Sequence, residues 1–127
     1  MFYLDTSAFL KLLLGEEHSS AMRAWYAAGR DCWSSHLLVT EALRAAPHRG
    51  LDPATLDTLL DRISLLLPTS ATFRRAATLL PQQLRSLDAL HVASALDLLP
   101  ELEGIVAYDA RVIDGAAEVG LTVVTPK

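Results

Sequence analysis

The chain of 127 residues has one cysteine, Cys32, and two lysines, Lys11 and Lys127. A lone cysteine excludes an intramolecular disulfide and a Cys-based zinc site. Long apolar runs are also missing, because Lys11, Glu16 and Glu17 break the most hydrophobic segment well short of a membrane span. There is no basic leader and Asp5 already lies inside the first apolar stretch, so a signal peptide is not expected and cytoplasmic residence is the default. Positive charge is in deficit, with 15 acidic residues against 11 basic and a net charge of −4. That balance excludes a strongly basic nucleic-acid binder. It does not exclude a metal-dependent nuclease, whose acids would be neutralised at its site. Arg carries nearly all the positive charge, which suits bidentate phosphate contacts and equally fits a compositional bias.

What the chain does have is apolar surface, 51% of its residues and mostly Leu and Ala. The length predicts one domain, residues 1–127, with a single sizeable core. The apolar surplus is enough to cover a partner or a second copy as well.

Apolar runs and helical patterns alternate along the chain. Strands are expected at Phe2-Tyr3-Leu4, Cys32-Trp33-Ser34, Ser64 to Pro68, Ile105 to Tyr108 and Leu121 to Val124, the third resting on leucines that serve a buried helix equally well. Thr6 or Ser7 is expected to cap a first helix that Gly15 ends, and a second helix is expected from about Glu16 to Ala28. Another carries Leu37 to Arg44, with Gly50 closing it, and Asp52-Pro53 starts the next. Thr69 or Ser70 is expected to cap a helix that stops near Pro81, and Ser86 one that runs to about Leu99. The last helix spans Ala110 to Val119. Strands alternating with helices predict an α/β fold with a parallel sheet covered on both faces.

Four acids interrupt apolar stretches, where an unpaired carboxylate is costly to bury. Asp5 and Asp109 each follow a strand, at the edge where sites form in open parallel sheets. Asp88 lies in a first helical turn, where free amides and the helix dipole favour a negative charge. Glu41 sits within a helix and converges on the others least clearly. Each acid alone has a plain structural reading, as a cap or, for Glu41 with Arg44, as a surface ion pair. Together they suit a hard divalent cation, Mg²⁺ or Mn²⁺, which prefers oxygen ligands.

The chain resembles PIN-domain ribonucleases, most closely the VapC-type toxins of bacterial toxin–antitoxin pairs, over essentially its whole length. Tyr3-Leu4-Asp5-Thr6-Ser7-Ala8-Phe9-Leu10-Lys11-Leu12 looks like the opening motif of that family. Ser35 to Arg44, Ser86 to Ala95, Ala107 to Arg111 and Gly120 to Pro126 look like its later ones. The resemblance implies a three-layer α/β/α fold with a mostly parallel sheet of about five strands. It implies a metal-dependent endoribonuclease in which Asp5, Glu41, Asp88 and Asp109 bind one or two Mg²⁺ or Mn²⁺ ions. The cation would activate a water and stabilise the leaving oxygen, leaving a 3′-hydroxyl and a 5′-phosphate. Thr6 and Ser7 are candidates for water or phosphate contacts, and Arg44 and Arg111 for RNA phosphates. A small VapB-like antitoxin and a homodimer are the expected partners. Ala107 departs from the family, in which many members carry Thr or Ser there, and this weakens the case for a second metal.

His91 falls one turn after Asp88; an all-carboxylate site does not require it, so packing or hydrogen bonding is its expected role. Trp25 and Tyr26 are expected to serve helix packing or an interface. Two rival functions belong to other classes. An aspartyl-phosphate enzyme of the haloacid-dehalogenase pattern would need a second Asp where this chain has Ser7. A receiver-type phosphoacceptor would need a late Lys, and only Lys127 is available. A noncatalytic RNA- or protein-binding module on the same fold is the other alternative, against which the four retained acids argue.

Overall fold

The computed structural model describes residues 1–127 and contains one five-stranded sheet. The strands are β1 (Phe2–Leu4), β2 (Cys32–Ser35), β3 (Ser64–Leu66), β4 (Gly104–Val106) and β5 (Val123–Val124), in the order β3-β2-β1-β4-β5. All four pairings are parallel, so each connection must cross over the sheet, and helices make those crossings. The helices are α1 (Thr6–Leu13), α2 (Ser19–Ala27), α3 (Leu37–Ala45), α4 (Pro53–Leu60), α5 (Ser70–Ala76), α6 (Ser86–Leu96) and α7 (Ala110–Glu118), with a 3-10 turn at Ala46–Arg49.

Successive residues of a strand face opposite sides of a sheet. Accordingly Leu4 and Val106 enter a core of 14 buried residues with Phe9, Met22, Leu38 and Leu56. Tyr3, Ile105 and Ala107 enter another of seven, with Val92, Val112 and Ala116. The sheet is therefore covered on both faces, and the expected α/β/α layering holds. Leu65 and Leu66 do form the edge of the sheet, in β3, with Leu67 just beyond it. Trp25 packs edge-on against Phe2 with ring centroids 5.1 Å apart, the packing role expected of it.

Several boundaries differ from the sequence reading, each for a local reason. Asp5, not Thr6 or Ser7, is the N-cap of α1, its carboxylate accepting from the Ala8 amide. Residues 16–18 form a turn before α2, in which the Glu16 carboxylate pairs with Lys11 and Arg49 and the Glu16 amide donates to Ser19 Oγ. His18 takes the left-handed conformation there, with φ 68°, and this delays the helix to Ser19. The helix α5 ends at Ala76, and α6 ends at Leu96 with Asp97 as its C-cap. Arg85, extended and without a side-chain bond, precedes α6 where Ser86 was expected to cap it. No helix is long and apolar enough to cross a membrane.

Candidate active site

The sheet order reverses at β1: β2 and β3 lie to one side, β4 and β5 to the other. Such a switch point opens a crevice beyond the carboxyl ends of the strands. Asp5 leaves β1 at that edge, its amide continuing the ladder to Val106 O at 3.1 Å. Asp109 follows β4 after two residues and caps α7 through the Arg111 amide at 2.9 Å. The two acids are joined by Ser7. Its hydroxyl donates to Asp5 Oδ1 at 2.7 Å and accepts the amides of Tyr108 at 2.9 Å and Asp109 at 3.2 Å.

Asp5 is 2% exposed. Burial pushes its carboxyl up to about 6, against the hydrogen bonds of Ser7 and Ala8, and the charge of Asp109 adds to the rise. Asp88 on α6 is also pushed above its ordinary range, by burial first and then by Asp109, while the Arg111 guanidinium works the other way. Its Oδ2 is buried and has no hydrogen-bond partner. Asp5 and Asp88 thus both sense the charge of Asp109, as β1, β4 and α6 bring the three acids toward one edge of the sheet.

Glu41 on α3 behaves differently. Its Oε1 accepts from Thr6 Oγ1 at 2.9 Å and meets His91 Nε2 at 2.5 Å. Burial raises its carboxyl, yet the hydrogen bond and charge of His91, with Thr6, leave it below the ordinary carboxylate range. Arg44 is exposed and forms no ion pair, so the Glu41–Arg44 pairing open to the sequence does not form. No three His, Cys, Asp or Glu side chains stand close enough together to form a ready-made metal cluster. The carboxylates repel one another, and Asp5, Glu41 and Asp109 each have hydrogen-bond donors of their own.

The donor set nevertheless fits a hard cation. It offers carboxylate oxygens only, one of them buried without a donor, and two of the acids, Asp5 and Asp88, are disfavoured as anions by burial and by the charge of Asp109. An apolar groove of about 350 Å³ between α5 and α6, lined by Phe73, Leu79, Leu84 and Leu90 among others, contains none of these acids.

Thr6 and Ser7, expected to touch water or phosphate, both have hydroxyls engaged with site acids. Tyr3, expected only as a residue of the first strand, also reaches the site. Its ring is fully buried and its hydroxyl lies 2.7 Å from His91 Nδ1 and 3.2 Å from Ser35 Oγ. A tyrosine in an otherwise apolar central strand was the available signal, since a buried phenol needs a partner.

An open parallel sheet with acids gathered at its switch point defines an α/β protein of the PIN-domain family, whose profile matches residues 2–113; the chain belongs to that family. Within it the chain is 37% identical over 132 residues to Ribonuclease VapC47 of Mycobacterium tuberculosis, covering 99% of this chain and 97% of that one. It is 34% identical over 125 residues to Ribonuclease VapC46 of the same species, covering 98% and 96%. Among solved structures, M. tuberculosis VapC20, a sarcin–ricin loop cleaving toxin, superposes with a TM-score of 0.77 at 17% identity, over 99% of this chain and 100% of the other. A chain of a toxin–antitoxin complex from Klebsiella pneumoniae gives 0.72 at 19% identity, over 100% and 98%. Those two likenesses bear on the fold alone.

Proposed function

We propose that this chain is the endoribonuclease toxin of a toxin–antitoxin pair, hydrolysing RNA phosphodiester bonds with Mg²⁺ or Mn²⁺. The observation that carries the chemistry is the unpartnered, buried Oδ2 of Asp88, which senses the charge of Asp109 as Asp5 does, at the switch point of a VapC-like chain. Asp5 and Asp88 would be the principal ligands, with Asp109 and Glu41 completing the set. When bound, the cation supplies Lewis-acid activation of water and charge stabilisation of the leaving oxygen.

The chain's own residues do the positioning. Ser7 holds Asp5 and the start of α7 in one frame, and Thr6 and His91 hold Glu41. Arg44 and Arg111, both exposed on helices that carry or follow site acids, would contact RNA phosphates and orient the strand. Ala107 is fully buried in apolar company and offers no hydroxyl, which favours one tightly held ion over two. A VapB-like antitoxin and a second copy of the chain are the partners. Exposed Leu67, Phe73, Leu80, Leu87 and Leu99 supply apolar surface for such contacts. A toxin of this kind works in the cytoplasm, on cellular RNA.

The test is cleavage of total cellular RNA by the purified chain with Mn²⁺, with Mg²⁺ and with EDTA, followed by end mapping. Cleavage should require metal, leave 5′-phosphates and vanish in Asp5→Asn. An Asp5→Asn protein cutting at the wild-type rate would overturn the mechanism. Growth arrest on expression, relieved by a partner encoded alongside, tests the toxin assignment separately.

A further inference from the structure

His91 is 2% exposed and both of its ring nitrogens are occupied. Nδ1 meets the Tyr3 hydroxyl at 2.7 Å, while Nε2 meets Glu41 Oε1 at 2.5 Å with Thr6 Oγ1 at 3.2 Å. A carboxylate only accepts hydrogen bonds, so Nε2 carries the hydrogen. With neither nitrogen free, the ring is excluded as a cation ligand and as a base toward water.

The ring is itself held from behind. Tyr3 sits in the central strand with its ring edge-on to the imidazole, at 5.8 Å between centroids. Its hydroxyl lies 3.2 Å from Ser35 Oγ, which accepts the Leu37 amide at 3.3 Å. One imidazole therefore ties together α6, which carries Asp88, the strand β1 that leads to Asp5, and the helix of Glu41. Glu41 has a flexible side chain, 25% exposed, and nothing on its own helix restrains it. Both of its donors converge on Oε1, and Oε2 accepts from no protein group.

We propose that His91, braced by Tyr3, is the positioning residue for Glu41, fixing Oε1 so that Oε2 remains free to act on the divalent cation. The proposal deepens the nuclease reading and rests on it for its activity readout, while the pairing itself can be read in metal-free protein. Partners that orient a metal-binding side chain commonly change affinity or rate by about 10- to 100-fold when removed.

The experiment is a double-mutant cycle of His91→Leu and Glu41→Ala in the full chain, with His91→Gln as the variant that retains an N–H donor. Three quantities are read. These are kcat and KM on an RNA oligonucleotide carrying a mapped cleavage site, Mn²⁺ affinity by calorimetry without RNA, and the His91 imidazole proton resonance in metal-free protein. In His91→Leu, kcat should fall about 10- to 100-fold with KM unchanged, and Mn²⁺ should bind more weakly. His91→Gln should recover most of both losses. In the Glu41→Ala background, His91→Leu should weaken Mn²⁺ no further, because the effect runs through Glu41. The imidazole proton, protected from exchange in the wild type, should be lost in Glu41→Ala.

Additive Mn²⁺ losses, a wild-type kcat in His91→Leu, or an unprotected imidazole proton in the wild type would each overturn the proposal. Should His91→Leu not melt cooperatively, Tyr3→Phe takes its place, since it removes only a hydroxyl. It should lower kcat in the wild-type background and leave Mn²⁺ affinity unchanged in Glu41→Ala; no effect on kcat overturns the bracing. A wild type that cleaves no RNA defeats the nuclease reading, and the calorimetric and resonance arms still decide the pairing.

Discussion

The hydroxyl of Ser7 gives its hydrogen to Asp5 Oδ1 at 2.7 Å. The same oxygen accepts the amides of Tyr108 and Asp109, so one side chain spans the gap between the ends of β1 and β4. Ser7→Ala removes the acceptor from two partly buried amides, a loss of about 1–3 kcal/mol. Chemical denaturation should show that destabilisation, and RNA cleavage should drop because Asp5 and Asp109 no longer share a frame. A variant as stable and active as the wild type would show the bridge to be incidental.

Asp5 itself works against folding in the metal-free protein. Its carboxyl rises from 3.8 to about 6, chiefly by burial, so the folded chain holds that proton more tightly than the unfolded chain. The penalty is fully present above the folded value, and stability is regained as pH falls through about 6 toward 4. A difference of this size corresponds to about 2–3 kcal/mol. Asp5→Asn keeps Oδ1 as the acceptor for Ala8 and Ser7 while removing the charge. In EDTA at pH 7 it should be more stable than the wild type, with the advantage shrinking toward pH 4, and it should cleave no RNA. Equal stability at pH 7 would contradict this account.

Mn²⁺ should reverse the penalty. A ligand that binds only the folded state stabilises by about 2.7 kcal/mol at a hundredfold excess over its Kd. Thermal melting of the wild type should therefore shift upward with Mn²⁺ and return with EDTA. Asp88→Asn, which neutralises the acid with the unpartnered oxygen, should lose most of that shift. An unchanged shift in Asp88→Asn would remove Asp88 from the ligand set.

Gly104 tests the sheet beneath the site. A Cβ there would lie 2.9 Å from the backbone oxygen of Thr122, which cannot swing aside as a side chain could. Gly104→Ala should push β5 away from β4 and cost about 1–3 kcal/mol, typical of overpacking. A denaturant midpoint at the wild-type value would show that the edge strand yields freely.

Much of this arrangement is legible in the chain, because the signals are local. Apolar runs ending in Asp5 and near Asp109 mark strand ends, and Asp52-Pro53 starts α4 as expected, whereas α3 ends at Ala45 and Gly50 closes the 3-10 turn that follows it. The misread boundaries depended on partners distant in sequence or on competition between neighbours. The late start of α2 involves Glu16 paired with Arg49, 33 residues away. At α1, Asp5 outcompetes Thr6 and Ser7 because those hydroxyls are drawn to Glu41 and to Asp5 itself.

The sequence by itself determined the alternation of strands and helices and the placing of carboxylates at strand and helix ends, since period and capping act within a few residues. Only the tertiary structure decided that β1 and β4 are neighbours and that Glu41 pairs with His91, 50 residues on. Crossover packing sets strand order, and a buried imidazole takes whichever partners the assembled layers present. Neither choice leaves a periodic mark in the chain.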